Sequence, residues 1–326
     1  MDQLNVGSAQ PELPRDYYWK RYTCPLSGAE FSTVAVKARS YSVRERGPDF
    51  CPRYEGINPQ YYEIIVSPVG FAAEEGVYRR SPQLLFRDRE GLVDMLKAQD
   101  AVESFAQIRD LPLACRSYEL ALGCTSFMRV PRYEIASLAL RASWLFREWR
   151  EDGYEPAGRQ IEVLREIALS HYQQAYEKED VTKLKLGSGG VAYLIAEILR
   201  ERGEFADSLR WFSRVVSDKS AGAEVLRIAR NQMETCREQR KQARESGSYV
   251  KPELERRLER TLYQVYADQA RWLGKLSAAG GLMESDFLRG ALDGLRDSGV
   301  DFSAFSSAEE LAQWLKARLG NTPPNE

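Results

Sequence analysis

Histidine is almost missing from this 326-residue chain: His171 is the only one. A second imidazole is not available, which excludes HExxH metalloproteases, His-rich metal sites and any two-histidine mechanism. An excess of charge of either sign is missing as well. Lys and Arg number 46 against 48 Asp and Glu, a formal net charge of −2, so the chain as a whole is not a polyanion binder. Long apolar runs are lacking too. The best candidate, residues 61–71, is broken by Glu63, Ser67 and Pro68, well short of the ~18 apolar residues of a membrane span. The opening residues contain no apolar stretch of secretory-signal length and carry Asp2. The five cysteines, Cys24, Cys51, Cys115, Cys124 and Cys236, are odd in number and far apart, which is not a disulfide framework. The expectation is a reduced, cytoplasmic protein with no membrane association and no cofactor.

What is present divides the chain into four stretches. Residues 1–15 are rich in Gly, Pro and polar side chains and read as a flexible tail. Residues 16–85 carry strand and turn signals: partial alternation through Phe31, Thr33 and Ala35 and through Tyr41 and Val43, then the β-branched and aromatic run 61–66 closed by Ser67-Pro68. Between them, Arg46-Gly47-Pro48-Asp49 and residues 55–59 are turn chemistry. From about residue 88 the period becomes helical, and residues 86–245 read as a helical-repeat array. Leu111, Cys115, Tyr118 and Leu122 form one apolar stripe; Ile135, Leu138, Ala142, Leu145 and Trp149 a second; Leu164, Ala168, His171 and Ala175 a third. Residues 246–326 read as a C-terminal helical extension, with helices near 252–276, 284–297 and 308–319.

Residues 189–217 resemble a tetratricopeptide repeat: an apolar helix, Gly203 at the turn, Phe205 after it, small Ser208, then Phe212 and Val215. Glycine permits a left-handed turn, and a small residue lets the second helix approach the first. A weaker copy turns at Asp152-Gly153-Tyr154, a period of about 50 rather than the ~34 of that repeat class. The expected fold is therefore mostly α, an irregular tetratricopeptide-like array with a small N-terminal β module.

The N-terminal strings Thr23-Cys24-Pro25-Leu26-Ser27-Gly28, Asn58-Pro59-Gln60-Tyr61-Tyr62 and Ser67-Pro68-Val69-Gly70-Phe71 resemble the bacterial domain-of-unknown-function 2225 family. That resemblance implies a zinc-ribbon-like N-terminus followed by tetratricopeptide-like helices, over about residues 16–240. It also implies Cys-Pro-x-Cys at both ends of the module. Here those positions hold Cys24 and Ser27, then Ser67 and Gly70. Structural zinc takes four donors, and a protonated serine hydroxyl is a poor one. Cys51 offers at most a second thiolate. The expectation is a degenerate ribbon with no zinc, packed instead through Leu26, Val69 and Phe71.

Functional candidates are few. Gly187-Ser188-Gly189-Gly190 lacks the Lys-Ser/Thr of a phosphate-binding loop and reads as a loop with Ser188 as helix cap. His171, Cys115 and Cys236 occupy apolar stripes and read as core residues. Helical repeats present concave faces that bind peptides. The register set by Gly153 and Gly203 points Ser143, Arg147, Arg150, Tyr193, Glu197 and Arg200 into such a groove, and its arginines suit an acidic protein or peptide partner. The leading expectation is a non-enzymatic scaffold or interaction protein. The alternative is single-stranded nucleic-acid binding, because Arg15 to Arg46 holds seven basic and three acidic residues interleaved with Tyr17, Tyr18, Trp19 and Tyr22.

Overall fold

A computed structural model describes residues 11–97 and 105–245; the three C-terminal helices expected beyond residue 246 and the first ten residues of the tail lie outside the described part. The described chain is mostly helical, with three small antiparallel sheets near its N-terminus. Strand β1 (Tyr17–Thr23) pairs with β2 (Glu30–Val36), β3 (Tyr41–Arg46) with β4 (Pro52–Gly56), and β5 (Ile64–Val66) with β6 (Ala72–Glu74). Residues 11–15 are tied to the first sheet: Trp19 Nε1 donates to the Pro11 carbonyl at 3.0 Å and Lys37 Nζ to that of Arg15 at 2.6 Å. Only part of the run 61–66 is strand. Asn58 accepts the Gln60 N–H through its side chain, and Pro59 sits at the first helical position, so Pro59–Tyr62 closes into a 3₁₀ turn. That local capping overrides the β propensity of the two tyrosines.

Helix begins earlier than the stripes suggest, with α1 (Glu75–Tyr78) and α2 (Pro82–Leu85), followed by α3 (Arg89–Lys97) and α4 (Leu111–Thr125). The rest is a run of neighbours: α5 (Arg132–Glu151), α6 (Ala157–Lys178), α7 (Gly187–Glu201), α8 (Phe205–Ser217) and α9 (Ala223–Glu245). Each packs on the next. Gly153 and Gly203, in the turns after α5 and α7, take φ of +100° and +76°, a region that a Cβ makes costly. Ser208 is fully buried and donates to the Ala196 carbonyl at 2.8 Å, so α8 lies close on α7. Phe212 and Val215 are buried behind it.

Two cores result. The first joins Cys24, Leu26, Ile64 and Phe71 of the β module to Leu92, Tyr118 and Leu145 of α3, α4 and α5. The β module therefore shares its core with the helices, which answers the difficulty that ~60 residues have in burying enough surface alone. The second runs through α5 to α9 and takes Phe50, from the β3–β4 hairpin, onto its surface.

Candidate functional site

Helix α5 carries the contacts that position the module on the helices. Arg141 and Glu148 are seven residues apart and share a face. The Arg141 guanidinium bonds Glu63 at 2.6 Å and Glu74 at 2.5 Å, and Tyr118 donates its hydroxyl to Glu63 at 2.9 Å. Burial acts to lower the Arg141 pKa, but Tyr118 and the two carboxylates outweigh it and the net shift is upward. Glu148 accepts from Asn58 Nδ2 at 3.1 Å and from the Tyr61 hydroxyl at 2.5 Å. The string Asn58-Pro59-Gln60-Tyr61-Tyr62 is thus a clamp onto α5: proline and the Asn58 cap shape the turn, and the turn aims Tyr61 at Glu148.

The third contact of α5 is with the tip of the β3–β4 hairpin. Arg147 Nη1 meets the carboxylate of Asp49 at 2.9 Å, and Asp49 is 1% exposed. Beside it the Phe50 ring stacks on Tyr193, centroids 4.9 Å apart, and the Tyr193 hydroxyl donates to the Pro48 carbonyl at 2.7 Å. The hairpin tip is shaped for this. Gly47 and Cys51 close the loop, and the Cys51 N–H bonds Asp49 Oδ1. A Cβ on Gly47 would come within 2.9 Å of that same oxygen. Phe50 takes φ +65°, a left-handed conformation that costs a bulky residue on the order of 1 kcal/mol. Around the pair, Arg165 bonds Glu201 at 2.9 Å. Burial lowers the Arg165 pKa and raises that of Glu201.

The six groove residues read from the sequence do not line an open trough. Ser143 is buried, with its hydroxyl on the Leu140 carbonyl at 2.7 Å. Glu197 is buried and binds Arg200 through both oxygens, at 2.9 and 2.6 Å; Arg200 reaches on to Gln239. Arg147 and Tyr193 hold the hairpin tip. Arg150 is exposed at the end of α5. Helical periodicity tells which residues share a face, but a segment 98 residues earlier in the chain fills that face here. Asp49 closes a run of turn chemistry in the sequence, and the large apolar Phe50 directly after it is the one local signal that the tip docks on something.

At the degenerate ribbon, two tight turns survive. The Gly28 N–H bonds the Cys24 carbonyl at 2.8 Å and the Gly70 N–H bonds that of Ser67 at 2.9 Å, with both glycines at positive φ. The donor set does not fit a structural zinc: Cys24 is the one thiol of the four positions, Ser27 is exposed, and Gly70 has no side chain. Cys51 sits at the hairpin tip against Asp49 and Arg147, where burial pushes its thiol up to about 11. Among the described residues no group of three or more His, Cys, Asp and Glu is placed to hold a metal. Leu26 and Phe71 are buried as expected, but Val69 is 41% exposed because it occupies the outer corner of its turn.

Of the N-terminal aromatic residues, Tyr18 is exposed while Tyr17 packs on Tyr62 and Tyr22 on Phe31 and Tyr78. Lys20 is engaged by Glu75 at 2.7 Å. Ser188 does not cap α7; its hydroxyl reaches Asp218 at 2.7 Å, and Gly189 lets the helix start approach Ala221, which a Cβ would meet at 2.7 Å. Among the described residues, no helix is long and apolar enough to cross a membrane.

His171 is largely buried on α6, and among the described residues its Nδ1 has no hydrogen-bond partner. Burial, with help from Arg132, lowers its pKa from 6.5 to about 4. The folded state thus binds this proton less readily than the unfolded chain. Stability from a neutral His171 is complete above about pH 6.5 and is lost as the pH falls toward 4, by up to about 3 kcal/mol. Urea midpoints at pH 7 and pH 4.5 should fall further for the native chain than for His171→Leu; parallel falls would contradict this.

Two findings from comparison with known proteins complete the picture. The profile of a family described as "Uncharacterized protein conserved in bacteria (DUF2225)" matches residues 17–242, more than two thirds of the chain. No curated protein and no solved structure matches it.

Proposed function

The chain belongs to the bacterial DUF2225 family, and from that premise we propose that it is a non-enzymatic protein-interaction or scaffold protein. In this reading α5 to α8 are two irregular tetratricopeptide-like hairpins, turning at Gly153 and Gly203, whose shared groove binds a peptide segment of a partner protein. One observation carries it: the groove already holds a loop segment, Pro48-Asp49-Phe50, through a guanidinium, a phenol and a ring face. These are the groups by which helical grooves recognise peptides. Arg147 and Tyr193 make the contacts and exposed Arg150 extends the positive rim.

Panning a random-peptide display library on immobilised full-length chain tests this. The expected result is enrichment of peptides that photo-crosslink to a probe placed at Arg150. No enrichment, together with single-stranded oligonucleotide binding that weakens steeply with salt, would replace it with the nucleic-acid alternative.

A further inference from the structure

We propose that the β3–β4 hairpin is a built-in competitor, and that the site beneath it selects a partner segment in which an acidic residue is followed directly by an aromatic one. This rests on the peptide-binding reading and goes further by naming the ligand. The site's two sides are held by the helices themselves. Tyr193 lies on α7 against Phe212, ring centroids 5.8 Å apart, and Arg147 belongs to the long helix α5. What they accept is specific in three ways at once: a carboxylate on Arg147, a ring on Tyr193 and a backbone carbonyl on the Tyr193 hydroxyl. Asp49, Phe50 and Pro48 supply these from consecutive residues.

The hairpin is also suited to leave. Among the described residues its two strands pair only with each other. Five of the six residues of β3 are exposed, as are three of the five in β4. The tip therefore supplies the buried contacts, and a two-stranded ribbon has little independent hold. Phe50 reaches its place in a left-handed conformation, a strain that an extended partner segment need not carry. Near the base, Gly56 takes φ +88° where a Cβ would lie 2.4 Å from the Ser40 carbonyl oxygen, so the chain leaves the ribbon at a position that requires glycine. A tethered competitor of this kind acts at a high effective concentration and lowers the apparent affinity for a free ligand.

The probe is a fluorescein-labelled peptide of residues 45–53 with serine in place of Cys51, followed by anisotropy against full-length chain. The double variant Asp49→Ala/Phe50→Ala should bind it at least about tenfold more tightly than the native chain. Peptides carrying Asp49→Asn or Phe50→Ala should lose that gain, as should adding Arg147→Gln to the protein. Asp49→Asn in the protein, which keeps the shape of the tip, is the second variant and should bind better than the native chain. Folded variants that bind the probe no better than the native chain overturn the proposal. So does failure of both variants to fold, since the tip would then be an obligatory part of the core. If panning still yields peptides that bind at this site while these variants show no gain, the peptide-binding reading stands and the built-in competitor falls; if panning yields none on the native chain and on Asp49→Asn alike, the broader reading falls first.

Discussion

Replacing Arg109 with methionine should remove about 3 kcal/mol of stability. Arg109 is 4% exposed. Its Nη1 donates to the Ile64 carbonyl at 2.7 Å and the Tyr61 carbonyl at 3.1 Å, and its Nε and Nη2 share the Phe105 carbonyl at 3.4 Å. The guanidinium also faces the rings of Phe105 and Tyr62, at 5.5 and 5.9 Å. Burial lowers its pKa to about 10, so it stays charged at neutral pH. Methionine fills similar space but leaves the carbonyls without their donor, at about 1–3 kcal/mol each, partly offset by no longer burying a charge. A lysine, whose three donors radiate from one point rather than spreading along a planar fork, should recover only part. The urea midpoint is the measurement, and a shift worth less than about 1 kcal/mol would contradict the account.

The second large effect is at Arg141. Its guanidinium lies between Glu63 and Glu74 with 16% of the side chain exposed. Arg141→Met leaves two carboxylates together in a half-buried site, and breaking a buried pair in this way costs about 3–5 kcal/mol. Most of that is the penalty of unpaired charge rather than lost attraction. Adding Glu63→Gln and Glu74→Gln should therefore restore more than half of the loss, a non-additivity expected of residues in one network. If the triple variant is less stable than Arg141→Met, the glutamates have other indispensable roles and this reading of the clamp is wrong.

Much of the helical half was legible because its determinants are local. The stripes through Leu111 to Leu122 and Ile135 to Trp149 mark core faces, and Gly153, Gly203 and Ser208 sit where the chain must turn or approach closely. The turn chemistry of residues 55–59 is legible, but its extension as a 3₁₀ turn through Tyr61 and Tyr62 is not, because two tyrosines ahead of three β-branched residues outweigh one capping asparagine in a propensity reading. The site was only half legible. Arg147 and Tyr193 meet the hairpin tip rather than open space, and no local pattern encodes the Arg147–Asp49 pairing across 98 positions. Arg141, Glu148 and Arg109 escaped for the same reason. Each is an ordinary charged residue in a helix or loop until the β module is laid against it.

The central claim is that the hairpin tip docks on α5 and α7 through Asp49 and Phe50. A double-mutant cycle of Asp49→Ala and Arg147→Ala, read by urea unfolding of the full-length chain, tests it most directly. The predicted coupling is about 1.5 kcal/mol or more, as close buried charge pairs give. Additive losses, with a coupling near zero, would mean that the carboxylate and the guanidinium do not meet.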